Sequence, residues 1–388
     1  GAVHRPPQRR LRITLAMHII PACPNRRTGN HPRSSRGQAF FWTRFVVPRL
    51  PGPAIVAETP NRQSVHMDAT PTGHEFVHLE NNPIPKGARS GFFSTSDKVR
   101  LRYGLFPKQG GGARGTIVLV QGRTEFIEKY FETISDFQKR GFAVATFDLR
   151  GQGGSDRLIG NRRHGHVENF DDYWTDLHDF HKMIVLPDCP PPYYLVGHST
   201  GGLIGLLAAT RDRLMFDRVF LSSPMVSLPG LPFSLKWSSR LVDAARFLGL
   251  STMPVGRRED RAQTEAGFEG NPLTSDRARY MRSVEILKAR PDLAIGLPTL
   301  GWIGSSLAAM RRANGDDFPS QLKIPAFICA AALDTVVDTS ATEALGLRLR
   351  AGHHVVIGGA RHELFMEADP IREQVFAAFD AFVTEQAS

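Results

Sequence analysis

The sequence predicts an α/β protein with a mostly parallel central sheet, helices on both of its faces and one helical insertion. Short apolar strands alternate with helical periods from about Phe92 to Phe382, the pattern of a parallel sheet covered on both sides. The alternation breaks once, between Ser222 and about Pro319, where about 95 residues carry helical patterns and no strand, too long for a plain loop. The composition, 41% hydrophobic and 22% charged, is that of a globular chain. No run of ~18 apolar residues occurs, which excludes a transmembrane helix by length.

The elements follow in order. Gly91–Thr95 and Val99–Phe106 read as paired strands around the turn Ser96-Asp97-Lys98. Thr116–Val120 is a short buried strand, Ile127–Arg140 a helix closed by Gly141, and Phe142–Phe147 a strand. Phe170–Met183 reads as a helix, Tyr193–Val196 as a strand, Gly202–Thr210 as an apolar helix and Arg218–Leu221 as a strand. The insertion holds helical patterns at Leu235–Leu248, Ser275–Ala289 and Leu293–Met310. Pro325–Ala331, Ala341–Leu349, His354–Ile357 and Ile371–Phe382 then resume the alternation. The expected organisation is a core formed by residues 85–222 and 319–388, with residues 223–318 as a helical cap.

The net charge of +10 is uneven. Residues 1–60 hold ten arginines, no lysine and one acid, whereas the rest holds 38 basic and 37 acidic groups. A neutral body argues against a nucleic-acid platform, and no nucleic-acid partner is expected. Residues 1–66, with nine prolines and no period, form a basic Pro/Arg-rich tail. It reads as a disordered arm, as an export signal around Arg9-Arg10 and Ile13–Ile20, or as a non-native extension ahead of Met67. Export is disfavoured, because the apolar stretch is short, holds His18 and is stopped by Pro21. Three scattered cysteines, Cys23, Cys189 and Cys329, give no disulfide framework or zinc site and fit a reducing compartment.

The most informative segment is Gly197-His198-Ser199-Thr200-Gly201-Gly202. It is G-x-S-x-G between a strand and a helix, the context in which a serine is held on a sharp turn at the carboxyl end of a sheet. Its glycines let strand and helix approach, and the helix N-terminus favours a developing anion. His198 points elsewhere and reads as a packing or hydrogen-bonding residue.

A serine hydroxyl needs an adjacent base. Its partners follow such an elbow in the order acid, then histidine, so only His353, His354 and His362 come late enough. The first two open a strand. His362 follows that strand in a loop at the same end as Ser199 and is the expected base. Asp334, first off the strand Pro325–Ala331, is the expected acid, and Asp338 reads as a helix N-cap. The oxyanion needs N–H donors, expected from the backbones of Thr200 and Arg123. The Arg123 and Glu125 side chains read either as an ion pair bracing the loop Gln121-Gly122-Arg123-Thr124-Glu125 after the third strand or as exposed.

The glycine cluster Asp148-Leu149-Arg150-Gly151-Gln152-Gly153-Gly154-Ser155 lacks a Walker Lys-Ser/Thr and dinucleotide spacing, so it reads as a structural turn. No metal spacing occurs, and no cofactor is expected.

The stretch from about Phe92 to Phe382 resembles the α/β-hydrolase superfamily, within it the lysophospholipase L2, monoacylglycerol lipase and S33 serine-aminopeptidase group. The resemblance rests on Gln121-Gly122-Arg123-Thr124-Glu125 with Lys129-Tyr130, on Asp148-Leu149-Arg150-Gly151, on the serine elbow, and on the Asp334 and His362 loops. Asn271-Pro272-Leu273-Thr274 and Pro298-Thr299-Leu300-Gly301-Trp302 look like the same branch. Monoacylglycerol lipases usually have His-Gly where this chain has Gln121-Gly122, and Met where it has Thr200, which leans toward the lysophospholipase-like branch.

The resemblance implies the α/β-hydrolase fold and a serine hydrolase of carboxylic esters. Haloalkane and epoxide chemistry is disfavoured, because those relatives use Asp where this chain has Ser199. Apolar cap residues Leu241, Val242, Ala245, Phe247, Leu248 and Leu293–Met310 point to a mono-acyl lipid substrate, with Phe247 and Trp302 as candidate contacts; alternatively these faces only pack the cap on the core. A short-chain esterase, an acyltransferase, an S33-type peptidase and a binding scaffold remain as rivals. A cytoplasmic location is expected, with at most peripheral contact with membrane lipid; the oligomeric state is open.

Overall fold

The computed structural model describes residues 74–384 apart from 113, 231–233 and 257–266. The tail expected over residues 1–66 lies outside the described residues.

Eight strands form one sheet in the order β1-β2-β4-β3-β5-β6-β7-β8. They are β1 Arg89–Ser94, β2 Arg100–Phe106, β3 Thr116–Val120, β4 Ala143–Phe147, β5 Tyr193–His198, β6 Arg218–Ser222, β7 Ala326–Ala331 and β8 Gly352–Ile357. β1 and β2 pair antiparallel, and β2 pairs antiparallel with β4. From β4 across to β8 every pairing is parallel, so the loops leaving those strands gather at one edge.

The period of two divides the strands between two cores. Val118, Val120, Ala145, Phe147, Leu195 and Leu221 face one side, packed with Leu177, Leu203 and Leu206. Ile117, Leu119, Val144, Val196 and Phe220 face the other, packed with Phe131, Phe137, Phe376 and Phe379. The helices are α1 Phe131–Lys139, α2 Asp172–Phe180, α3 Leu186–Asp188, α4 Thr200–Arg211, α5 Leu235–Phe247, α6 Arg277–Ala289, α7 Leu300–Ala313, α8 Phe318–Gln321, α9 Thr339–Arg348 and α10 Asp369–Thr384. α5 to α8 lie between β6 and β7, and no named strand falls there among the described residues.

Three expectations shift. The helix expected from Ile127 begins as a short 3-10 turn and becomes α1 at Phe131. The helix expected over Leu293–Met310 starts only at Leu300. Ahead of it the chain runs alongside residues 163–165, with Gly296 N–H donating to Arg163 O (2.6 Å) and Thr299 N–H to Gly165 O (3.0 Å). Pro298 has no N–H and disfavours the α region for Leu297 before it, so the apolar run cannot be one helix. Packing also begins earlier than residue 85. Val77 is buried with Phe126 and Ile286, and Phe76 stacks on Phe106 with ring centroids 5.6 Å apart.

Candidate active site

The elbow after β5 is strained in the way a presented nucleophile requires. Ser199 has φ 52° and ψ −115°, a conformation L-residues avoid unless the surroundings enforce it. Enforcement comes from both sides. Ser199 N–H donates to Ser222 O (3.0 Å), and Ser199 O accepts from Met225 N–H (3.0 Å). A Cβ on Gly197 would lie 2.7 Å from Gly201 O, and one on Gly201 would strike the carbonyls of Val120 and Gln121. The motif's two glycines are therefore fixed by close approach.

His362, in the loop after β8, bridges the two other sequence-selected residues. Its Nε2 lies 3.0 Å from Ser199 Oγ, and its Nδ1 lies 2.8 Å from Asp334 Oδ2. Asp334 also accepts from the N–H groups of Val336 (2.8 Å) and Val337 (3.0 Å). Burial works against its charge, but the His362 hydrogen bond, the imidazole and those N–H groups hold the carboxyl below the usual carboxylate range. Asp338 caps α9, accepting from Ala341 N–H at 3.1 Å. His198 stacks obliquely on His362, centroids 4.8 Å apart, with Nδ1 3.1 Å from Ser222 O. Burial, with His362 and Lys129 nearby, pushes its imidazole down to about 4 despite Glu125, so it is neutral.

The loop after β3 abuts the serine, because a Cβ on Gly122 would sit 3.2 Å from Ser199 Cβ. Thr200 opens α4, so its N–H belongs to the first turn, whose amides have no acceptor within the helix. Thr124 has φ 68°, unusual for a β-branched residue. The loop is pinned by Glu125, which accepts from Gly122 N–H (2.5 Å) and Tyr130 Oη–H (2.6 Å), and by Gln152 Nε2, which donates to Gly122 O (2.8 Å).

The side chains of Arg123 and Glu125 are neither paired nor exposed together. Glu125 is buried and pairs with Lys129 at 2.9 Å. Arg123 donates to Gly296 O and lies over the Trp302 ring, 5.2 Å from its centroid. Trp302 is buried, with Nε1–H donating to Tyr173 Oη (3.2 Å). Phe247 is elsewhere, at the end of α5, and 92% exposed. Of the two expected cap contacts, only Trp302 borders the loop beside the serine.

Sequence reasoning missed the residues that join the loops. Lys129 Nζ donates to Glu363 Oε1 (2.6 Å) as well as meeting Glu125, which ties the loop after β3 to the residue following His362. Glu363 N–H donates to Leu273 O (2.8 Å), and Arg361 Nη1 donates to the carbonyls of Asn271 and Thr274, each at 3.0 Å. The Asn271–Thr274 segment thus clasps the histidine loop; its motif resemblance was the available signal. The glycine cluster after β4 is structural: Asp148 binds Arg102 (2.7 Å) and Gly154 N–H (2.7 Å).

With this geometry in view, the comparisons are specific. The family model described as "Serine aminopeptidase, S33" matches residues 111–369, and the chain belongs to that family. It is 30% identical over 312 residues to lysophospholipase L2 of Escherichia coli K12, covering 76% of this chain and 87% of that one. It is 25% identical over 274 residues to phospholipase YtpA of Bacillus subtilis, covering 69% and 95%. Its fold is that of a soluble variant of Saccharomyces cerevisiae monoglyceride lipase, with TM-score 0.59, 19% identity and coverage of 76% and 96%. A Bacillus coagulans carboxyl esterase is similar, with TM-score 0.61, 19% identity and coverage of 76% and 98%. The architecture is the α/β-hydrolase fold. None of the described helices is long and apolar enough to cross a membrane.

Proposed function

We propose that the protein is a serine hydrolase of mono-acyl lipid esters, of the lysophospholipase or monoacylglycerol lipase type. The observation that carries this reading is His362, which bridges Asp334 and Ser199 on an elbow of strained backbone. Ser199 Oγ attacks the acyl carbonyl carbon as His362 Nε2 takes its proton. The oxyanion is met by the N–H groups of Thr200 and Arg123. Collapse expels the alcohol, to which His362 returns the proton. Water, deprotonated by His362, then attacks the acyl-enzyme and releases the acid and free Ser199. Asp334 holds the imidazole and offsets its charge.

The helical segment between β6 and β7 acts as a cap over this site, with residues 223–318 as its extent. The relatives named lysophospholipase and phospholipase support a lipid ester as substrate, and a lipid substrate implies peripheral contact with a lipid surface. An aminopeptidase reading is less favoured by the local charges. The acids beside the histidine, Glu125 and Glu363, are both engaged by Lys129, so neither is offered to a substrate amino group.

A panel of lysophospholipids, monoacylglycerols, p-nitrophenyl esters and aminoacyl amides tests the reading. Each buried methylene is worth ~0.8 kcal/mol, or roughly fourfold, so rates should climb with acyl length on single-chain esters. A maximum at the shortest chains would indicate a small-ester esterase, and faster turnover of aminoacyl amides a peptidase. Acyl transfer to added alcohol in preference to water would indicate an acyltransferase.

A further inference from the structure

The side chain of Arg123 reaches toward a loop rich in arginine. Its Nη2 donates to Gly296 O, its guanidinium lies over the Trp302 ring, 5.2 Å from the centroid, and a Cβ on Gly165 would lie 2.9 Å from Nη2. Gly165 ends the loop in question. Residues 157–165 hold three arginines and no acid, and they run beside residues 292–299, with Gly165 N–H donating to Leu297 O (3.0 Å).

Arg157 fixes this loop and keeps its charge. Its Nε donates to Arg162 O (3.0 Å), its Nη1 to Ser155 O (2.9 Å) and its Nη2 to Asp292 O (2.7 Å). All three acceptors are backbone carbonyls, which take hydrogen bonds without cancelling the charge. Arg162 is exposed, and neither arginine makes an ion pair with a described residue. The carboxylate of Asp292 is engaged by Arg290 through both oxygens (2.9 and 2.8 Å). Burial, with Arg162 close by, brings the Arg157 guanidinium down to about 10, the direction that crowded cations impose. Lys129, the cation on the other side of the oxyanion loop, is engaged by Glu125 and Glu363. The flank of the site beyond Arg123 is therefore positive, although the chain after residue 60 balances 38 basic against 37 acidic groups.

Reach decides which ester profits. The guanidinium carbon of an arginine and its own backbone nitrogen are separated by about six bonds. So are the phosphorus and the acyl carbon of a lysophospholipid, and either span is ~7 Å when extended. An ester carbonyl held at the N–H of Arg123 thus sets its phosphate at the guanidinium of the same residue, whose planar fork matches phosphate oxygens. A monoacylglycerol ends in a hydroxyl at that place.

We propose that the Arg123 side chain is a specificity-determining group that takes the phosphate of a lysophospholipid, with Arg157 and Arg162 supplying the positive field around it. The proposal rests on the lipid-ester reading and selects the phosphate-bearing members of that class.

Octanoyl lysophosphatidylglycerol, octanoyl lysophosphatidylcholine and monooctanoylglycerol, each monomeric in solution, are compared by kcat/KM. The wild-type chain should favour both phosphate esters, and salt should narrow the margin. Arg123→Met should lower that preference by about tenfold or more, chiefly through KM of the phosphate esters. Arg123→Lys should restore part of it, as a point charge without the fork. Arg157→Gln/Arg162→Gln should lower it by about threefold and flatten its salt dependence. Equal losses on all three substrates in folded Arg123→Met would leave the side chain a mere support for its loop and overturn the proposal. An unchanged preference in the double variant overturns it too, and decides the matter if Arg123→Met does not fold. Inhibition by inorganic phosphate without any preference among the esters would make the arginines a site for free anions, with the same consequence. Equal turnover of the three esters sinks the proposal and leaves the lipid-ester reading standing. Turnover of none sinks that reading. The Ser199→Ala chain, titrated by calorimetry, should then still bind octanoyl lysophosphatidylglycerol more tightly than monooctanoylglycerol, and equal binding removes the phosphate site as well.

Discussion

Lys129 Nζ lies 2.6 Å from Oε1 of Glu363, the residue after His362, and 2.9 Å from Oε1 of Glu125, which holds the loop beside Ser199. One buried cation therefore joins the loop after β3, which abuts Ser199, to the loop that carries His362. Burial opposes the charge on Glu125, but Lys129, His198 and Tyr130 bring its carboxyl down to about 2. Burial pushes the Glu363 carboxyl up, against the pull of Lys129.

Removing that cation should be costly. Lys129→Met leaves two carboxyls facing a vacated site and should destabilise by ~3–5 kcal/mol, read by urea denaturation. Under conditions where the variant is folded, kcat on a soluble ester should fall while KM changes little, because Lys129 acts through the loops. Glu363→Gln should be milder on both measures, since the amide keeps an acceptor for Lys129 and Glu125 stays paired with that cation. Equal losses for the two variants would mean that the cation's charge is not what joins the loops.

Acid stability should depend on Glu132. Burial alone would raise its carboxyl, but hydrogen bonds from Arg279 and Arg282 and the charge of Arg372 hold it at about 2. That is below the unfolded value of ~4.3, so the unfolded chain binds more protons between the two values. The contribution is full above the unfolded value and is lost as pH falls from about 5 to about 2. Solvent reaches part of this carboxyl, and screening keeps its contribution well short of the ~3 kcal/mol that the full shift would give. Glu132→Gln should lower stability at pH 7 and flatten its dependence over that window. An unchanged acid slope in chemical denaturation from pH 7 to pH 3 would remove Glu132 from the account.

Trp302 and Phe247, paired by sequence as substrate contacts, should separate in assays. Trp302 supports Arg123 from below, so Trp302→Ala should slow short and long soluble esters alike. Phe247→Ser should change the rate on a short soluble ester by less than about twofold, as expected for an exposed position. A chain-length effect of Phe247→Ser on monomeric substrate would return it to the acyl site.

These contrasts show which parts of the molecule a sequence exposes. The elbow was legible because its pattern is local: the two glycines flank the serine within five residues, although Gly197 meets the elbow itself and Gly201 meets the end of β3. Asp334 and His362 followed from chain order and from parallel strands that deliver their loops to one edge. The Lys129–Glu363 bridge spans 234 positions; Lys129 stood in the motif that carries the resemblance, but nothing local pairs it with Glu363. The period of α5 revealed an apolar stripe but not its direction. Periodicity gives a face, and only packing against α7 decides that Ser239 goes in and Trp237 goes out. The run after Leu293 misled for a similar reason, since its apolar residues were continuous while Pro298 divided the backbone.

The central claim is that Ser199 is the activated nucleophile, and covalent labelling tests it most directly. A fluorophosphonate should add once per chain, and peptide mass spectrometry should place the adduct on Ser199. Ser199→Ala should abolish labelling, and His362→Ala should slow it by orders of magnitude. Labelling that persists in folded Ser199→Ala, or a folded wild-type chain that does not react, would contradict the account.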